Sequence, residues 1–95
     1  MSLPKFLAPY LASYDLDKLD LEKNKEMIIT EILNKGDGKA LKWLANNYTK
    51  MDIKQTVATP MKGSWFRSVL KYWHKIFAID PSPSQFNKAI IDFNA

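Results

Sequence analysis

The sequence predicts a small all-α domain, with about five short helices around a tight helix-turn-helix in an orthogonal bundle. Three observations predict it. Apolar residues recur at helical spacing, as in Ile28, Ile29, Ile32 and Leu33. Gly36 and Asp37 stand side by side, a helix stop followed at once by a helix start. Nothing alternates long enough to make a strand, since Val57 and Thr59 are too isolated to pair. Ninety-five residues suit a single domain, 1–95, with 1–19 as an N-terminal arm and 80–95 as a C-terminal capping helix. A chain of this size buries about 65% of its unfolded surface, enough for one core but not for a deep enclosed pocket.

Taken in order, residues 4–12 carry Pro4 and Pro9 and read as a short arm of one or two helical turns. Phe6, Leu7, Tyr10 and Leu11 would pack it onto the body. Residues 13–19 are a turn-rich connector. Asp20 is a good N-cap, but Lys23 stands where a capping-box Glu would be, and a helix follows over 21–35. Gly36 is the expected left-handed stop. Asp37 caps the next helix, 38–47, whose Ala40, Leu41, Leu44 and Tyr48 share a side. So short a turn makes these two helices cross steeply. Thr49 and Asp52 resemble a cap for a helix over 50–58, with Ile53 and Val57 inward, and Thr59-Pro60 ends it.

Ser64 is placed to cap a long helix over 65–77. Trp65, Phe66, Val69, Leu70, Trp73, Ile76 and Phe77 fall in one broad arc, opposite Arg67, Lys71 and Lys75. Residues 80–84, with two prolines, make a rigid connector. The last helix spans 84–93 through Phe86, Ala89, Ile90 and Phe93.

Composition excludes several classes. The 46% hydrophobic and 13% aromatic content is too high for a disordered chain. Without cysteine there is no disulfide framework, thiolate metal site or cysteine nucleophile, which fits a cytoplasmic location. No 18-residue apolar run exists to span a membrane, and the N-terminus lacks the apolar core of a signal peptide.

The net charge of +4 is unevenly spread. Residues 1–34 carry Lys5, Lys18, Lys23 and Lys25 against Asp15, Asp17, Asp20, Glu22, Glu26 and Glu31, a net of −2. Residues 35–75 carry nine Lys/Arg against Asp37 and Asp52, a net of +7. Such a field suits an anionic partner, nucleic acid or an acidic protein surface, or else a merely solvated face.

Few constellations carry chemistry. Asp15, Asp17, Asp20 and Glu22 lack the glycine and bidentate Glu of a calcium loop and read as capping and solvation. His74 is the sole histidine, expected in surface or interface packing, and Ser64 and Ser68 have no other base. Gly36-Asp37-Gly38 lacks the length and lysine of a phosphate loop. No catalytic, cofactor or metal residue is therefore assigned, and the chain is read as non-enzymatic.

The contact candidates are Lys35, Lys39, Lys42, Trp43, Lys50, Lys54, Arg67, Lys71 and Lys75. A tight two-helix turn with clustered lysines has the outline of a DNA-binding helix-turn-helix. Its turn is shorter than usual, and only Arg67, Asn46 and Asn47 could read bases nearby. Trp43 lies off the Leu41–Leu44–Tyr48 direction, as core beneath the arm or as an interface anchor.

Tyr14-Asp15-Leu16-Asp17, Leu19-Asp20-Leu21-Glu22-Lys23, Ile28-Ile29, Gly36-Asp37, Leu41-Lys42-Trp43-Leu44 and Tyr72-Trp73 occur in this order. In this the chain, over roughly residues 3–79, resembles a family of small uncharacterised prokaryotic helical proteins. Genes of that family often sit beside nucleotidyltransferase-like toxins of the abortive-infection type. The resemblance thus implies an antitoxin-like or accessory role with no catalytic residue. The chain departs from it at Gly63-Ser64-Trp65-Phe66, where relatives carry a more basic Pro/Arg-containing linker, and in its tail, 80–95. The leading expectation is an interaction module that binds a protein partner such as that toxin, without cofactor or membrane; homo-oligomerisation stays open. The alternative is a DNA-binding regulator using the basic patch 35–75.

Overall fold

The structure, a computed structural model, describes residues 3–91. It is all-α, with five α-helices and two 3-10 turns among the described residues. The chain divides into two compact units, Met1–Thr49 and Lys50–Ala95.

In the first unit the arm makes a 3-10 turn, Lys5–Leu7, and buries Leu3, Leu7 and Leu11. A second 3-10 turn, Leu16–Lys18, is opened by the Asp15 carboxylate, which accepts from the Asp17 N–H at 3.0 Å. Helix α1 runs Lys25–Lys35, later than the expected start at 21. Residues 21–24 form a turn instead. The Asp20 carboxylate accepts from the N–H groups of Glu22 (2.9 Å) and Lys23 (2.8 Å). Asn24 Oδ1 accepts from the Asp20 N–H at 2.8 Å, supplying the reciprocal bond that Lys23 cannot. Ile28, Ile29, Ile32 and Leu33 are buried as their spacing requires. Thr30 is buried with them because its hydroxyl donates to the Glu26 carbonyl at 2.6 Å.

Gly36 ends α1, but not in the left-handed region. Its backbone is extended, φ −71° and ψ 149°. Glycine is needed there for space: a Cβ would lie 2.6 Å from the Ile32 carbonyl oxygen and 3.1 Å from the Ala40 Cβ. Helix α2, Gly38–Asn47, follows at once and packs on α1. Its cap is the expected one, Asp37 accepting from the Ala40 N–H at 3.0 Å. Ala40 and Leu44 face inward, and Tyr48, also buried, donates its hydroxyl to the Leu21 carbonyl at 2.9 Å.

The second unit opens with α3, Lys50–Ala58, as expected. Val57 is buried and Ile53 half-buried. Helix α4 spans Arg67–Ile76, packs on α3, and is two residues shorter at its start than the sequence suggests. Ser64 does not cap it; its hydroxyl donates to the Lys62 carbonyl at 3.2 Å. Instead Gly63 turns in the left-handed region (φ 64°), and the backbone of residues 63–65 pairs with the end of α5, Pro83–Ala89. Gly63 N–H donates to Lys88, Ser64 and Trp65 N–H donate to Ala89, and Ile91 N–H donates to Trp65, all at 2.9 Å. Trp65 and Ile90 thus form an isolated parallel bridge, the one piece of β pairing among the described residues. It carries Trp65 into the core, fully buried.

Two further expectations change on α4. His74 is buried, not superficial, and its Nε2 meets the Val57 carbonyl at 2.8 Å. A carbonyl only accepts, so that nitrogen carries the proton. The bond satisfies one of the last carbonyls of α3. Ile76 is 55% exposed, because the buried line of the helix runs through Leu70 and His74. The helix ends in a Schellman pattern: Ile79 N–H donates to His74 O (2.8 Å) and Ala78 N–H to Lys75 O (3.2 Å). Ala78 takes the left-handed position usually given to glycine, at φ 56°. Helix α5 starts one residue earlier than expected, with Pro83 in its first turn and a Ser82–Gln85 capping box. Phe93, expected on this helix, lies outside the described residues.

Candidate binding surface

Helix α4 carries the residues that the structure gathers into a site. Four residues advance a helix by about 6 Å and bring the chain back to nearly the same face. Arg67, Lys71 and Lys75 therefore form one stripe. The rigid segment after the helix turns back, and α5 lies along that stripe. Between them is a groove of about 470 Å³. One wall is the cationic stripe with His74 at its base; the other is Ile79, Pro81, Pro83, Phe86 and Asn87. Among the described residues no Asp or Glu lines it.

The groove is braced from within. The Arg67 guanidinium lies 5.5 Å from the Phe86 ring centre, and its Nη1 donates to Asn87 Oδ1 at 3.4 Å. His74 packs against the same ring at 5.9 Å. These contacts fix the head of the stripe, while Lys71 and Lys75 project as exposed cations.

Beyond the stripe, α4 presents an apolar ridge. Tyr72 and Ile76 are 57% and 55% exposed and stand one turn apart. Tyr72 meets the edge of Trp73 at 5.2 Å, and Trp73 stacks on Phe77 at 6.1 Å. The sequence alone leaves Tyr72 at a margin and puts Ile76 in the core.

The other contact candidates do not line this groove. Lys35 is bound 2.7 Å from Glu31, and Lys39 lies over the Phe6 ring at 4.4 Å. Lys42 is exposed on α2. Trp43 is half-buried, its ring edge-on to Tyr48 at 6.3 Å. These four belong to the first unit. Lys50 and Lys54 are exposed on α3 in the second.

One electrostatic pair stands out in the first unit. The Ala40 N–H, and then the Tyr10 hydroxyl, hold the Asp37 carboxyl below its ordinary range. The same bond to Asp37 pushes the Tyr10 hydroxyl up. Asp20 is likewise lowered by the N–H groups of Lys23 and Glu22. These are capping arrangements, and among the described residues no three His, Asp or Glu gather as a metal site. No helix described is long and apolar enough to cross a membrane.

Comparison with known families matches residues 10–57, just over half the chain, to a family of unknown function, DUF6922. The chain belongs to that family. No curated protein and no solved structure matches. The DUF6922 match takes in Tyr10, the Asp20 turn, α1, the Gly36-Asp37 junction, α2 and α3 up to Val57. It stops short of the resemblance traced through Tyr72-Trp73, so the groove and ridge of α4 lie outside the matched stretch.

Proposed function

We propose that this DUF6922 protein is a non-enzymatic interaction module, antitoxin-like or accessory, that binds a partner protein through α4. The observation that carries this reading is the pairing of an exposed apolar ridge with a cationic stripe on that one helix. Tyrosine and arginine are typical anchors of protein interfaces, where a few central side chains supply most of the affinity. Neighbouring exposed apolar residues mark a surface meant to be covered. The resemblance to helical proteins encoded beside nucleotidyltransferase-type toxins supplies the kind of partner.

The test is co-expression with the product of the neighbouring gene. A stable complex is expected, and Tyr72→Asp with Ile76→Asp should abolish it while the circular dichroism stays helical. A chain that ignores its neighbour, or a complex indifferent to both substitutions, counts against the proposal. The alternative, duplex DNA binding, draws on the Arg67–Lys71–Lys75 stripe and predicts affinity that falls steeply with salt. Negligible binding at low salt would remove it.

A further inference from the structure

We propose that the groove between α4 and α5 is a peptide-binding cleft for an extended acidic segment of a partner protein, with carboxylate and apolar side chains in alternation. The inference rests on the interaction-module reading and names what one part of it recognises. Its warrant is the contrast between the walls. One wall offers Arg67, Lys71 and Lys75 at intervals of about 6 Å along the helix. The facing wall offers Pro81, Pro83 and Phe86. In an extended peptide, side chains alternate between faces, and those on one face repeat every ~6.6 Å. A strand laid along the groove therefore points its carboxylates at the cations and its apolar residues at the prolines and ring. The volume, about 470 Å³, lies within the range of ordinary ligand clefts.

Charge alone would also suit a nucleic acid, but the groove does not. Single strands bind by stacking bases on aromatic faces. Among its lining residues Phe86 is the one phenyl ring, a single platform and not the series that successive bases need. Duplex recognition puts a protruding element into a groove of the DNA, whereas this stripe is one wall of a concavity. The Arg67 guanidinium, steadied by Phe86 and Asn87, is preorganised for a planar carboxylate.

The test uses the full chain, labelled with nitrogen-15, and an acetylated, amidated Glu-Ile-Glu-Ile-Glu peptide at low salt. Saturable amide shifts confined to residues 67–87 are expected. Lys71→Gln with Lys75→Gln should weaken binding about tenfold, the product of two exposed ion pairs at a few-fold each. Lys71→Arg with Lys75→Arg should retain it, and dispersed spectra of both variants show that the fold persists. The inference is overturned if no amide in that range shifts. It is equally overturned if the Gln-Ile-Gln-Ile-Gln peptide binds as well, or if a DNA duplex or an oligothymidine saturates the same amides at lower concentration. If the Gln double variant still holds the co-expressed partner while the Tyr72/Ile76 variant does not, the cleft reading fails and the module reading stands. Peptide binding in the cleft without any partner complex gives the reverse.

Discussion

Two glycines two residues apart should respond to the same substitution with opposite signs. At Gly36 an alanine Cβ would lie 2.6 Å from the Ile32 carbonyl oxygen, 3.0 Å from Ile32 Cγ2 and 3.1 Å from Ala40 Cβ. The first is backbone in the last turn of α1 and cannot swing away as a side-chain tip would. Relieving it means moving α1 against α2, an overpacking cost of about 1–3 kcal/mol. Against this, losing glycine's freedom in the unfolded chain gains about 0.4–1 kcal/mol. The steric term wins, and Gly36→Ala should destabilise by about 1–2 kcal/mol. At Gly38, in the first turn of α2, nothing lies within 4 Å of where an alanine methyl would stand. Gly38→Ala should therefore stabilise, by about 0.5 kcal/mol, since alanine is the better helix former. Urea unfolding followed by far-UV circular dichroism reads both. In a thermal melt each kcal/mol is worth about 4–8 °C for a domain of this size. A Gly36→Ala protein as stable as its parent, or a Gly38→Ala protein that loses as much, would refute the close-approach argument.

Two other changes probe backbone strain and charge. Ala78→Gly should raise stability by about 0.5–1 kcal/mol, the cost of a left-handed alanine less glycine's extra freedom in the unfolded chain, and an unchanged melting temperature would contradict the strain. Asp37, with its folded-state pKa lowered, contributes stability that is present above the ordinary carboxylate value. That contribution is lost as pH falls through the lowered folded value. Asp37→Asn should flatten this acid limb, and Tyr10→Phe should move the Asp37 carboxyl titration upward by NMR; a titration that stays put would show that the hydroxyl bond does nothing.

What is legible in the sequence is what local chemistry decides. The bounds of α2 and α3 follow from Asp37 beside Gly36 and from the Thr59-Pro60 stop, and both are found. The start of α1 is hidden because Asn24, not residue 23, closes the turn on Asp20. Ser64 looks like a cap because nothing nearby says that the backbone around Trp65 is claimed by Ala89 and Ile91. His74 sits at the polar margin by periodicity, and its burial depends on a carbonyl 17 residues earlier. The cations of α4 are visible as a stripe. The wall facing them is not, since the prolines read only as a connector.

The pairing of Trp65 with the end of α5 has a consequence for how this groove can change. Main-chain hydrogen bonds fix where α5 ends its approach without consulting any side chain along it. The position of the wall and the chemistry of the wall are thus set by different atoms. Phe86, Asn87 and their neighbours could be exchanged, altering which peptide the cleft prefers, while the frame that presents them stays in register. A scaffold so divided can acquire a new specificity by substitution alone.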